Sequence, residues 1–332
     1  MGGNALSQGS IRVDLDVYTR VKNSLLHTLP VFRKDVPLSY ESKINFGDID
    51  VVHAGFTVDY ETLCSRLKEL YGATEIVRNG PCISFDFHDP RLGVQHGGGN
   101  GVQVDLIKVP SESFDFSLRY YSYNDLGCLI GTIARRCGFK FGHEGLFYRY
   151  NHSDKNNISF VPVTTDYYQA LSLLGFETTQ KFKTVEEIFE YIVRSKYFNP
   201  ETFQLNMLNS VNRVRNSKRP VYMHFLDWIS RSQVKPGMEI NKESLLKEVM
   251  KEVVGFENNL KGTMQNLFVK EKVKEVFNGK IVSEWTGEQG RHLGCLMAAI
   301  KDSYESDLLL NIDALYYPDR LKANVIHIAA SL

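Results

Sequence analysis

The chain has no Cys-x-x-Cys pair, no long uncharged apolar run and no net charge, and each lack closes off a class of protein. The five cysteines (Cys64, Cys82, Cys128, Cys137 and Cys295) are scattered, and none has metal-ligand spacing with a histidine. They exclude a disulfide framework or zinc module and predict reduced, buried thiols in a cytoplasmic protein. No apolar run reaches membrane-spanning length, and the opening MGGNALSQGS has neither a charged n-region nor an apolar h-region. The expectation is a cytoplasmic chain without a membrane partner. Lys plus Arg and Asp plus Glu are equal at 39 each. That balance argues against a general nucleic-acid coat but permits a local basic groove. Internal repeats and low-complexity linkers are absent.

What is present is a chain able to bury a large core. Hydrophobic residues make up 43% of its 332 positions, which is globular composition with room for two domains. Apolar residues at helical spacing predict a helix over 13–29. Residues 46–53 read as a strand, and YETLCSRLKELYG reads as a helix stopped by Gly72. TEIVR, CISFDFH and VQVDLIKV read as strands. The last two flank RLGVQHGGGNG, which lacks the lysine and following helix of a P-loop and reads as a hairpin tip. NDLGCLIGTIARRCG predicts a helix, and GLFYRY with ISFVPV predicts a second hairpin. His143 and Glu144 read as a turn between helix and strand. Beyond Thr165 the pattern is helical, with capped segments at TTDYYQALSLLGF, TVEEIFEYIVRS and NKESLLKEVMKEVVGFENNL. The fold class is α+β: a small mixed sheet with helices on one side, followed by a mainly helical C-terminal region.

The stretch KINFGDIDVVH places Asp48 and Asp50 one residue apart on a strand. Residues i and i+2 face the same way, so the two carboxylates project side by side, roughly 7 Å apart along the chain. Two such charges repel, and each raises the other's pKa unless a cation lies between them. A third, Asp105, sits within the apolar strand VQVDLIKV, where a charge is costly unless paired or bound to metal. Carboxylates alone favour Mg²⁺ or Mn²⁺ over zinc. Three on adjacent strands can hold two ions about 4 Å apart, the clamp for in-line phosphoryl displacement. Singly, each has a plainer reading: Asp48 capping a turn after Gly47, Asp105 paired with an arginine.

PLSYESKINFGDIDVV followed by VQVDLI resembles the polymerase β-like nucleotidyltransferase superfamily, typified by family X DNA polymerases. Asp48, Asp50 and Asp105 match that family's metal-binding aspartates. Ser39 matches the serine of its Gly-Ser, although Leu38 replaces the glycine and the linker is shorter. YYSYNDLGCLIGTIARRCGFKFGHEGLFY with VPVTTDYYQALSLLGF is similar to the family's thumb; Gly127 or Cys128 stands near the place of its base-contacting asparagine. FNGKIVSEWTGEQGRHLGCLM resembles a segment of tRNA CCA-adding enzymes and bacterial poly(A) polymerases, and reads equally as a helix–turn–helix corner with glycines where helices touch. The whole chain is similar to nucleotidyltransferase-like proteins of tailed phages, which implies a host-cytoplasmic location if it is phage-encoded.

The resemblance implies a nucleotidyltransferase palm over 1–120, a thumb-like helix and hairpin over 121–180, and a helical C-terminal domain over 181–332. It implies a two-metal enzyme that moves a nucleoside monophosphate from a nucleoside triphosphate such as ATP to an acceptor hydroxyl and releases pyrophosphate. Ser39, Lys43 and Gly47 are the candidate nucleotide-binding residues, although Lys43 also suits a solvated surface. Arg213, Arg215, Lys218 and Arg219, in NRVRNSKR beside PVYMHFLDWI, suit a nucleic-acid backbone with stacked bases. Such a run at a helix end is also ordinarily solvated. The expected acceptor is an RNA 3′ end, tRNA-like. The alternatives are a protein or small-molecule acceptor, or an idle member that binds nucleic acid or a partner protein.

Overall fold

The computed structural model describes residues 5–94, 101–151, 158–177, 181–304 and 306–332. The chain divides into two compact units, 1–254 and 255–332. The expected divisions after 120 and 180 both lie inside the first.

The first unit opens with a short strand β1 (Val13–Asp14) and helix α1 (Leu15–Thr28), which Asp14 caps by accepting from the Val17 N–H at 2.9 Å. Strand β2 (Val31–Asp35) follows, then β3 (Asn45–Phe46), paired with β1, and β4 (Asp48–Phe56). Helix α2 (Tyr60–Tyr71) ends at Gly72, as its sequence predicts. Strands β5 (Ile76–Asn79), β6 (Cys82–Phe87) and β7 (Val102–Lys108) complete a five-stranded sheet in the order β2-β4-β7-β6-β5. Within it β4 and β7 run parallel and the other neighbours antiparallel. The sheet is therefore mixed. The tip expected between β6 and β7 lies largely outside the described residues.

Period-two alternation sorts this sheet into two faces. Ile49, Val51, Val104, Leu106, Ile83 and Phe85 point to one side and bury themselves against Val21 and Leu25 of α1 and Leu63 and Leu67 of α2. The opposite face carries Asp48, Asp50, Gln103, Asp105 and Ser84 at one end and Val52 at the other. Helix α3 (Phe114–Tyr121) packs Phe114, with Leu118 and Tyr121, over Val52, Ala54 and Ile107. Helices thus cover parts of both faces, where one side was expected. The polar end of the second face lies beyond the α3 contacts.

Helix α4 (Leu126–Arg136) leads into an antiparallel three-stranded sheet of β8 (Phe139–Gly142), β9 (Gly145–Asn151) and β10 (Ile158–Thr164). The hairpin of β9 and β10 matches expectation. Strand β8 was not anticipated, because four residues are too few to show an alternation. His143 and Glu144 consequently form a turn between two strands rather than between helix and strand. Helices α5 (Tyr167–Leu173), α6 (Val185–Val193), α7 (Ser210–Ser217), α8 (Pro220–Ser232) and α9 (Lys242–Glu252) complete this unit.

The single helix expected over 241–260 is broken. Val253 leaves helical geometry, and Gly255 takes φ +84°, a conformation that an L side chain rarely adopts. A new helix α10 (Phe256–Val276) begins there and opens the second unit. That unit continues with α11 (Gly279–Thr286), α12 (Gly290–Ser303), α13 (Asp307–Tyr316) and α14 (Pro318–Ser331) around Val282, Leu296, Ile300, Leu321 and Val325. The segment 277–297 is a helix–turn–helix corner turned at Gly287, φ +77°. Of its four glycines only Gly279 marks a place where helices touch, since a Cβ there would meet Leu293 Cδ2 of α12 at 3.7 Å, whereas one at Gly287, Gly290 or Gly294 would meet nothing within 4 Å. Cys295 is exposed and only Cys137 is fully buried, so the expectation of buried thiols holds for one of the five. Among the described residues no helix is long and apolar enough to cross a membrane.

Candidate metal centre

The three aspartates meet because two neighbouring strands run parallel in one register. Asp50 on β4 stands directly opposite Asp105 on β7, and Asp48 is opposite Gln103. One carboxylate oxygen from each of Asp48, Asp50 and Asp105 lies within 4.8 Å of the others. Among the described residues this is the one group of three acidic, histidine or cysteine side chains placed closely enough to hold an ion.

The surroundings magnify the repulsion. Burial, and then the charges of Asp48 and Asp105, push the Asp50 carboxyl up to about 8 from its ordinary 3.8. Asp105 is also raised, mainly by burial, while hydrogen bonds from Ser84 and Gln103 pull it back down. The Gln103 amide donates Nε2–H to both Asp105 oxygens, at 3.0 and 2.9 Å, and its own oxygen accepts from the Ala5 N–H at 2.9 Å. Asp105 is therefore aimed before anything binds. Tyr18, stacked on Phe46 with ring centroids 3.8 Å apart, has its hydroxyl raised by burial and then by Asp50 and Asp48. The Cys82 thiol is pushed up to about 11 by burial, then by Asp105.

Lys43 is a cation facing this cluster. Its ammonium is lowered by burial and raised by Asp48 and Asp50, and it donates to Asn124 Oδ1 at 3.2 Å while lying 4.7 Å from the Phe46 ring centre. The donor set, hard oxygens within 4.8 Å of one another, suits a metal ion.

The remaining expected residues fall in different places. Gly47 is buried, and its carbonyl accepts from Ser10 Oγ at 3.1 Å. Ser39 is half-buried in the loop 36–44, next to Leu38, whose N–H donates to Ser122 Oγ at 2.9 Å. Among the described residues Ser39 makes no hydrogen bond to the aspartates. Arg213 turns onto the carbonyls of Leu205 and Leu208, both at 3.1 Å. Arg215 reaches Cys128 and Asn216, Arg219 pairs with Asp125, and Lys218 is exposed.

Gln103, Ser84 and Tyr18 were missed in the sequence. The signal for Gln103 was available: it stands two residues before Asp105 on the same strand, hence on the same face. Ser84 and Tyr18 reach the site through strand pairing and helix packing, which no local pattern records.

The chain matches no protein-family model and no curated protein.

Proposed function

We infer that the protein is a metal-dependent nucleotidyltransferase of the polymerase β-like kind, transferring a nucleoside monophosphate from a nucleoside triphosphate to an acceptor hydroxyl. The observation that supports it most is the in-register pair Asp50 and Asp105 with Asp48 beside them, three carboxylate oxygens within 4.8 Å. A plain structural ion pair would need one cation per acid. Among the described residues Lys43 is the cation whose charge acts on both Asp48 and Asp50, and Asp105 is pinned by two uncharged partners, Ser84 and Gln103.

Asp48, Asp50 and Asp105 are the residues that would hold a divalent cation. A cation held there would supply positive charge for phosphate oxygens and an acceptor hydroxyl. Asp50, crowded by Asp48 and Asp105, would be one of the carboxylates that hold it. Asp105, fixed by Gln103 and Ser84, keeps its orientation throughout, which saves reorganisation during reaction. Lys43 places one positive charge beside the aspartates, where the β- and γ-phosphates of a triphosphate require it. Ser39 lies in the same loop as a further hydroxyl donor. The expected acceptor is an RNA 3′ end.

The test is transfer of label from α-labelled nucleoside triphosphates in Mg²⁺, with and without total tRNA. Transfer that disappears in Asp50→Asn and Asp105→Asn supports the reading. Transfer only to the protein itself or to a small molecule moves the acceptor, and equal transfer by wild type and both variants removes the aspartates from the chemistry.

A further inference from the structure

Helix α4 and the residue before it carry Asp125, Cys128 and Arg135 on one stripe, and α7 with the bend after it lies against that stripe. The contacts run antiparallel. Arg219 Nη1 pairs with Asp125 Oδ1, Arg215 Nη2 meets Cys128 Sγ at 3.5 Å, and Arg135 donates to the Asn212 side-chain oxygen. That last contact is made through Nη1 at 2.6 Å and Nη2 at 2.8 Å, with the Asn212 amide in the orientation that satisfies both its ends. Arg149 joins from β9: its N–H donates to the Gly138 carbonyl at 3.0 Å, and the Gly138 N–H donates to the Arg135 carbonyl at 3.1 Å.

The seam thus gathers four guanidinium groups and one carboxylate. Among the described residues no carboxylate pairs with Arg135, Arg149 or Arg215. Arg135 and Arg215 are exposed, and Arg149 and Arg219 half-buried. Although Arg135 keeps an exposed side, partial burial among its neighbours, and then the charges of Arg149 and Arg215, lower its guanidinium. Like charges crowded in this way repel unless an anion lies among them. A chain with no net charge has concentrated positive charge on one seam.

One end of the seam reaches the metal centre. Asn124, next to Asp125, accepts from Lys43 Nζ at 3.2 Å, and Lys43 faces Asp48 and Asp50. Tyr123 and Asn124 hold left-handed φ values of 59° and 58°, unusual for two consecutive non-glycine residues. The Tyr123 N–H is bound to the Leu38 carbonyl at 2.6 Å. Backbone strain is thus spent on joining the Ser39 loop to the start of α4. Tyr120 and Tyr121, ring centroids 5.3 Å apart, stand between the two sites: Tyr121 feels the charge of Asp50, and Tyr120 those of Arg215 and Arg219.

We propose that the seam formed by Arg135, Arg149, Arg215 and Arg219 holds the phosphodiester backbone of a single-stranded nucleic acid and leads its end to the aspartates. The proposal rests on the nucleotidyl-transfer reading for the direction of the strand. From Asp125 to Arg135 the helix rises about 15 Å, room for about four phosphates at the ~3.4 Å spacing of a stacked strand. Guanidinium forks match phosphate oxygens.

The experiment measures binding of a short fluorescein-labelled single-stranded RNA of mixed sequence to the full chain by anisotropy, from about 50 to 200 mM salt. The combined Arg135→Gln, Arg149→Gln, Arg215→Gln variant is expected to flatten the slope of log affinity against log salt by about 2, at ~0.7 per lost phosphate contact. A variant with the same charge loss elsewhere, Arg66→Gln, Arg194→Gln, Arg231→Gln, is expected to keep the wild-type slope. If the glutamine variant does not fold, lysine at the same three positions must retain the slope. Equal flattening in both glutamine variants, an unchanged slope, or a lysine variant that folds but loses the slope overturns the seam. Displacement by inorganic tripolyphosphate as effective as by unlabelled strand assigns it to polyphosphate and overturns the strand. A Mg²⁺- and nucleotide-dependent rise in wild-type Tm is measured in parallel. Its absence with strand binding intact sinks the transfer reading, and the seam then stands as a strand-binding surface alone.

Discussion

Replacing Asp50 by asparagine should stabilise the metal-free protein, although it removes a residue from the centre of the site. The Asp50 carboxyl is raised from 3.8 to about 8, first by burial and then by Asp48 and Asp105. Below pH 3.8 it is protonated in both folded and unfolded chains and costs nothing. As pH rises, the unfolded chain loses this proton while the folded chain keeps it, so stability falls until the pH passes about 8. At 1.36 kcal/mol per pH unit the loss at pH 7 has a ceiling of about 4 kcal/mol. Sharing of the proton among three carboxyls lowers this, and a gain of about 2–4 kcal/mol for Asp50→Asn at pH 7 is expected. Asparagine keeps the volume and removes the charge, so little else changes. The assay is urea unfolding in EDTA between pH 4 and 8.5. The two tryptophans separate the units, since Trp228 lies in the first and Trp285 in the second. A Trp285→Phe background leaves Trp228 as the reporter of the unit containing the sheet. The variant's advantage should vanish near pH 4 and grow to pH 8. Mg²⁺ should close the gap from the other side, adding about 2.7 kcal/mol to wild type at a hundredfold excess over its Kd and less to the variant. Parallel wild-type and variant curves across the range, or a variant weaker at pH 8, would refute the reasoning.

His53 should act in the opposite pH window. It is fully buried, neither ring nitrogen has a hydrogen-bond partner of good geometry among the described residues, and burial lowers its pKa from 6.5 to about 4, with the Gly55 backbone only weakening that effect. Between pH 6.5 and 4 the unfolded chain takes a proton that the folded chain refuses, so stability falls by up to about 3 kcal/mol as pH drops. His53→Leu should remove that fall, and unfolding curves with the same acid slope in both proteins would contradict it. Gln103→Leu keeps the volume but removes both hydrogen bonds to Asp105, so Mn²⁺ affinity, read by titration with electron paramagnetic resonance, should weaken by about tenfold or more. Unchanged affinity would mean that Asp105 is oriented by the strand alone.

Local pattern was enough to put Asp48 and Asp50 on one face of a strand, because side-chain direction alternates with a period of two whatever the strand pairs with. It was enough to mark Asp105 as an anomaly within an apolar strand, and to end α2 at Gly72. It did not find the break at Gly255, since nothing in the pattern of 241–260 separates a glycine within a helix from one that ends it; only the packing of Val253 and Phe256 into buried places decides. It did not show that Asp50 and Asp105 stand opposite each other, because register is set by hydrogen bonds between β4 and β7, more than fifty residues apart. Nor did it bring Arg135 and Arg149 to Arg215. The run Arg213, Arg215, Lys218 and Arg219 was visible as a cluster in sequence, yet Arg213 turns away to cap carbonyls while Arg135 and Arg149 arrive from a different helix and a strand. The direction in which a side chain leaves the backbone follows from its neighbours in sequence. Which groups it then meets follows from the register and packing of distant segments, and the charge balance of both the aspartate cluster and the arginine seam is decided there.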